Sequence, residues 1–144
     1  MNIDKFKQQH VEIISCISAL RAFAKSGIQG NATEIAKLIV SMSATIRLHL
    51  AVEDKVLYPA LQRANSPSLA SMAKKFQDEM KGIASAYLAF AGRWNTTTAI
   101  SQKPEDFRSD ANGILKILHD RMHRENVDFY PAIEAYKDLS ATPS

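Results

Sequence analysis

The chain has 144 residues, of which 46% are hydrophobic and 23% are charged, and these are ordinary proportions for one globular domain. They exclude a disordered chain and a collagen-like fibre, and the single cysteine, Cys16, excludes a scaffold held by internal disulfides. The formal net charge of +3 is small, and the 18 Lys and Arg residues are spread along the chain, so we expect no nucleic-acid partner.

We expect a cytoplasmic protein with no membrane partner. Charged residues interrupt the first seven positions and no apolar signal-peptide region follows them. No uninterrupted apolar run of about 18 residues is present. A single cysteine is typical of a protein in a reducing compartment.

Three breaks divide the sequence into four long segments, which we assign to one domain spanning residues 1–144. The first break, residues 26–31, contains two glycines, which suit a helix end and a turn. The second, residues 64–67, ends at Pro67, where a new helix can begin. The third and longest break covers residues 95–104.

Each segment carries apolar residues at spacings of three and four, and no alternating strand pattern competes with them. Four such segments joined by short links predict an all-α fold, an antiparallel up-down-up-down four-helix bundle. Representative residues of the four stripes are Phe6, Ile13 and Ile17; Met42, Ile46 and Val56; Phe76, Ile83 and Tyr87; and Leu118, Met122 and Phe129.

Five polar residues break these apolar stripes. His10, His49, Glu53 and Glu125 fall on the stripes of their helices, and Glu79 falls on the flank of the third stripe. Since the start of one helix and the end of the next occupy the same layer of an antiparallel bundle, we expect all five in one layer. Buried carboxylates need a compensating cation, and imidazole with carboxylate is how helical bundles hold iron or manganese.

Other roles remain open for individual members of this set. Each histidine alone could be a hydrogen-bonded core residue, and Glu79 could be solvated or paired. Glu125 could pair with Arg121 or Arg124 instead of a metal. The prediction therefore depends on the five residues together.

Two segments resemble one family signature. Residues 49–59, HLAVEDKVLYP, resemble the HxxxE…(L/F)(Y/F)P signature of the hemerythrin-like (HHE cation-binding) family, and residues 121–131, RMHRENVDFYP, look like a second copy. His10 matches the first ligand of that family. The resemblance covers residues 5–136, and it implies a non-haem iron domain, with two iron ions, that binds O₂, NO or peroxide.

The sequence departs from that family at two ligand positions. Arg121 stands where the family usually has a fourth-helix histidine, and Met80, beside Glu79, stands where it has a third-helix histidine. The resemblance leaves His10 and His49 as terminal ligands, Glu53 and Glu125 as bridging carboxylates, and Glu79 as a candidate terminal carboxylate.

Two alternatives to this ligand set stay open. Arg121 and Glu79 could form an internal ion pair, which would leave a single-ion or weakened site. In a second register, His119, His123 and Asp128 would replace Glu125.

The leading functional prediction is a metal-binding protein, not an enzyme, that binds or senses a small ligand at iron, with manganese or zinc as alternative metals. One alternative is an oxidase in which a carboxylate-rich pair of metal ions activates O₂. The other is a metal-free helical bundle that acts through interaction or regulation.

Overall fold

Five helices make up most of the chain in the computed structural model, which describes residues 3–136. They are α1 (Asp4–Ser26), α2 (Ala32–Val52), α3 (Pro67–Trp94), α4 (Thr97–Gln102) and α5 (Pro104–Arg124), with a short 3₁₀ turn at Gln29–Asn31. Helix α2 continues through a π-helical turn (Glu53–Leu57) into Tyr58–Gln62, and α5 continues through a second π-helical turn (Glu125–Phe129) into Tyr130–Ala135. No strand occurs between residues 3 and 136, so the all-α prediction is confirmed.

The predicted breaks correspond to real helix ends. Gly27 ends α1 with φ at 131°, a conformation that favours glycine. The Asn31 side chain donates to the Gly27 carbonyl at 2.8 Å and fixes the connection to α2. Ser66 caps α3 by accepting from the Leu69 N–H, and Pro67 occupies the first turn.

The third break contains a helix that the sequence analysis did not predict. Residues 95–104 were expected to be irregular, but α4 occupies most of them. Thr96 caps this short helix by accepting from the Ala99 N–H, and Ile100 anchors it because its side chain is fully buried in the core. The described part of the chain therefore has five helices, one more than predicted.

Each long helix packs against two others: α1 contacts α2 and α5, and α3 contacts the same two helices. Their buried apolar residues form two clusters, one containing Ile13, Ile46 and Leu118, the other containing Phe6, Leu57 and Phe129. Along the chain, the buried residues His10, His49, Glu53 and Glu125 come between members of these two clusters. The fold thus places a polar layer inside an otherwise apolar core.

The two π-helical turns change which side chains face inward. In each turn the backbone N–H of a tyrosine bonds to the carbonyl five residues earlier: Tyr58 to Glu53 and Tyr130 to Glu125. Val56 was expected on the inner stripe, but its side chain is 51% exposed, whereas Leu57 is fully buried. The wider turn gives the inner position to Leu57.

One helical stretch passes a composition test for membrane spanning. Residues Gln29–Gln62 are long enough and apolar enough to cross a bilayer, with a mean hydropathy of 1.5 over the most apolar 18 residues. The core helix of a globular protein gives the same signal, and α2 buries Ile35, Ile39 and Met42 completely. This composition alone is therefore weak evidence for a membrane.

Candidate metal centre

Four of the five predicted residues converge in the buried polar layer. His10, His49, Glu53 and Glu125 are each at most 1% exposed. His10 lies in α1, His49 in α2, and each glutamate begins one of the π-helical turns. Ligand atoms of His10, His49 and Glu125 come together from three different helices, and Glu53 joins them through its contact with His49.

Close distances join these four side chains. The Nε2 atoms of His10 and His49 lie 3.2 Å apart. Glu125 Oε1 lies 2.9 Å from His10 Nε2, and Glu53 Oε1 lies 3.4 Å from His49 Nε2. Ligand atoms of His10, His49 and Glu125 all lie within 4.8 Å of one another.

Two side-chain amides fix the orientation of the imidazoles. Gln9 Oε1 lies 2.7 Å from His49 Nδ1, and Asn126 Oδ1 lies 2.9 Å from His10 Nδ1. An amide oxygen only accepts, so each Nδ1 carries the proton and donates it. The lone pair of each Nε2 then points into the cluster, as metal ligation requires.

The donor spacing suits a metal ion. Two lone pairs that face each other at 3.2 Å repel unless a proton or a cation lies between them. Two ligand atoms at adjacent positions around an ion, each about 2.1 Å from it, lie about 3 Å apart. The three measured separations, 3.2, 2.9 and 3.4 Å, match this spacing.

Three of the four carboxylate oxygens of Glu53 and Glu125 also lack hydrogen-bond partners. Among the described residues, both oxygens of Glu53 and Oε1 of Glu125 are buried without a hydrogen-bond donor; their close neighbours are the histidine Nε2 atoms. A buried carboxylate without compensation is costly. These three oxygens and two Nε2 atoms form a donor set that fits a divalent or trivalent cation.

The pKa shifts indicate a cluster that is short of positive charge. Burial, and then the charge of Glu125, raises the pKa of Glu53. Burial acts against ionisation of Glu125 too, but contact with His10 and the charge of Arg121 outweigh it, so the pKa of Glu125 is lowered. Burial would lower the pKa of His49, but its contact with Glu53 raises it. Two acids thus face one permanent cation, and another positive charge is favourable.

Glu79, the fifth predicted residue, lies apart from the other four. Its side chain is 36% exposed, and its Oε2 lies 3.1 Å from Arg124 Nη1 and 3.6 Å from Arg121 Nη1. Arg121 itself is 1% exposed. Of the alternatives left open by the sequence, the structure contains the ion pair between Arg121 and Glu79.

The second register does not form a cluster in the structure. His119, His123 and Asp128 are all exposed. None of them belongs to the cluster of potential metal ligands, His10, His49 and Glu125, that forms within residues 3–136. Burial therefore favours Glu125 over this alternative.

A family model for the hemerythrin HHE cation-binding domain matches residues 1–133 of the 144-residue chain. The chain belongs to the hemerythrin HHE cation-binding family. No curated protein and no solved structure gives a significant match. Membership implies non-haem metal binding, and this hemerythrin-like domain has a His/Glu cluster where such an ion could bind.

Sequence reasoning missed several residues that complete the centre of this hemerythrin-like domain. Gln9 and Asn126, which hold the two imidazoles, are the immediate chain neighbours of His10 and Glu125. Tyr130 was also missed, and its hydroxyl lies 3.0 Å from His10 Nε2. Polar residues adjacent to a predicted ligand are a usable signal, since the second ring N–H of a metal-binding histidine almost always donates to an oxygen acceptor.

Proposed function

We propose that this protein binds non-haem iron through His10, His49, Glu53 and Glu125, on an antiparallel up-down-up-down bundle of its four long helices. The observation that supports this most is the approach of two Nε2 atoms to 3.2 Å while both Nδ1 atoms donate to amide oxygens. Imidazoles held in this way are prepared for one shared cation. Carboxylate oxygens without hydrogen bonds complete the set.

Iron is the proposed metal because two imidazoles with carboxylates and open positions are typical of non-haem iron sites. Manganese and zinc accept the same donors. Bound iron would supply redox chemistry and an open position for a small ligand, for which we propose O₂, NO or peroxide. The protein would act in the cytoplasm.

The residues around the cluster would hold it in place and keep bulk water out. Gln9 and Asn126 fix the imidazoles, and the Tyr130 hydroxyl lies 3.0 Å from His10 Nε2 at the edge of the cluster. Aromatic residues cover the layer on one side: Phe6 stacks edge-on against His49, and Tyr130 stacks against His10. A dry surrounding strengthens electrostatic interactions with a bound cation.

Elemental analysis of the purified protein tests this proposal. Glu53→Gln keeps the size of the side chain and removes one anionic ligand, so iron per chain should fall well below the wild-type value. Asp54→Asn, a change at the exposed neighbouring carboxylate, should leave it unchanged. Equal iron content in wild type and Glu53→Gln would remove Glu53 from the site.

A second candidate function is a metal-free interaction bundle. The observation that favours it is the ion pair between Arg121 Nη2 and Glu125 Oε2 at 3.3 Å, which compensates one buried acid without a metal. Protein purified without iron, manganese or zinc, and not stabilised against heat when these ions are added, would favour this candidate.

A further inference from the structure

Arg121 is the largest of the fully buried side chains among the described residues. It places a permanent positive charge in the polar layer. Its Nη2 donates to the Phe76 carbonyl at 2.6 Å, and its guanidinium lies over the Phe76 ring, 4.6 Å from the centroid. These contacts fix the cation between α3 and α5. A charge buried this completely needs a specific partner.

That partner is Glu125, whose two oxygens face opposite sides. Oε1 lies 2.9 Å from His10 Nε2, inside the candidate metal centre, and Oε2 lies 3.3 Å from Arg121 Nη2. A carboxylate that bridges two metal ions gives one oxygen to each ion. Here the guanidinium occupies the side on which a second ion would bind.

The donors around Arg121 are poor in nitrogen ligands. Helix α3, which packs against this side, contains no histidine. Its contacts with Arg121 are those of the Phe76 ring and carbonyl and of the half-exposed Glu79 carboxylate. A second ion would meet few ligands and would be repelled by the guanidinium.

We infer that Arg121 takes the place of a second cation, so that the centre holds one metal ion per chain. This inference rests on the proposed function, because it presumes that the first ion binds. The two buried acids, Glu53 and Glu125, are then compensated by one guanidinium and one metal ion, with no need for the charge of a second ion. The two-iron centre expected from the family resemblance would become a centre with one metal ion and one guanidinium.

Iron counting on the wild-type protein tests the inference without any variant. The metal-free protein is loaded anaerobically with excess Fe²⁺, freed of unbound metal, oxidised, and measured for iron per chain and for the EPR signal. One iron per chain with a full high-spin ferric signal supports the inference, because an isolated ferric ion is EPR-visible and a bridged ferric pair is not. Two irons per chain with a silent spectrum would overturn the inference and leave the proposed function standing. No bound iron would overturn both.

A substitution tests whether Arg121 is the cause. Arg121→His removes the guanidinium, adds a nitrogen ligand and leaves Glu125 Oε2 free, so iron per chain should rise from one to two and the ferric signal should disappear. The control is Arg124→His, since Arg124 also contacts Glu79 and the Phe76 ring but is exposed; it should keep one iron. A folded Arg121→His variant that still holds one iron would overturn the role given to Arg121, and if it does not fold, the wild-type count decides.

Discussion

Glu53→Met should stabilise the metal-free protein and weaken its response to metal. The Glu53 side chain is fully buried and neither oxygen has a hydrogen bond. Methionine has a similar volume and no polar group to desolvate. Removing a buried unsatisfied polar group is worth about 2 kcal/mol, which raises the melting temperature by about 8 °C for a domain of this size. His49 is not left as an unpaired charge, because a protonated imidazole becomes neutral when it loses one proton.

The same variant should respond far less to metal. Ferrous iron at about 100 times its dissociation constant stabilises the native state by about 2.7 kcal/mol, which is about 10 °C for the wild type. Glu53→Met should lose most of this increase, so the order of the two melting temperatures reverses when metal is added. Anaerobic thermal unfolding followed by circular dichroism, with and without Fe²⁺, measures both effects, and Asp54→Asn is the control.

Two results would refute this reasoning. If metal-free Glu53→Met melts below the wild type, the carboxylate stabilises the metal-free fold and its oxygens are compensated there. If the metal-induced increase equals that of the wild type, Glu53 does not bind the ion.

Three further predictions concern residues around and away from the centre. Gln9→Leu removes the acceptor of His49 Nδ1–H and should weaken metal binding by about 10- to 100-fold in competition with a chelator; unchanged affinity would contradict the role of Gln9. Tyr87→Phe, which removes a buried hydroxyl that bonds within 3.1 Å across to α2, should lower the free energy of unfolding by about 1 kcal/mol in urea and leave the metal content unchanged. A hydrogen bond from Trp94, with a smaller contribution from Arg93, lowers the pKa of Asp110 below its ordinary value of 3.8. The ionised Asp110 therefore stabilises the fold at neutral pH, and this contribution is lost as the pH falls through the lowered pKa. Asp110→Asn should therefore cost under about 1 kcal/mol at neutral pH, since the pair is partly exposed, and nothing in strong acid; an equal cost at both pH values would contradict this assignment.

The helices were predictable because local signals agreed with the packing. Apolar spacing of three and four residues identified the four long helices, and Pro67 identified the start of α3. The short helix α4 was missed because three consecutive threonines indicate irregular structure. A threonine cap and one buried isoleucine, Ile100, override that local tendency.

The π-helical turns were missed although the sequence contains a signal for them. Pro59 and Pro131 lie inside continuous helices, where proline cannot donate a hydrogen bond and its ring clashes with the carbonyl four residues earlier. A turn closed by a bond across five residues relieves this conflict and places Glu53 and Glu125 at its start. A regular period of 3.6 residues per turn does not allow for the extra residue in a π-helical turn. Val56 was therefore assigned to the buried face of the helix, although its side chain is exposed.

The convergence of four polar residues could be predicted because His and Glu occupy positions on the apolar faces of the helices. A buried His or Glu needs a hydrogen-bond or charge partner, so such residues are expected to contact one another. Glu79 could not be placed in this way, because a flank position is compatible with either the core or the surface. Its position follows from two arginines, Arg121 and Arg124, that attract its carboxylate. Whether the four residues bind a metal is a chemical question that the helical period does not address.

X-ray absorption at the iron edge of anaerobically loaded protein tests the central claim most directly, because it reports the atoms bound to the ion. We predict iron bound by nitrogen and oxygen atoms, with the outer-shell scattering of two imidazoles and no second metal nearby. An iron shell without imidazole scattering would contradict ligation by His10 and His49.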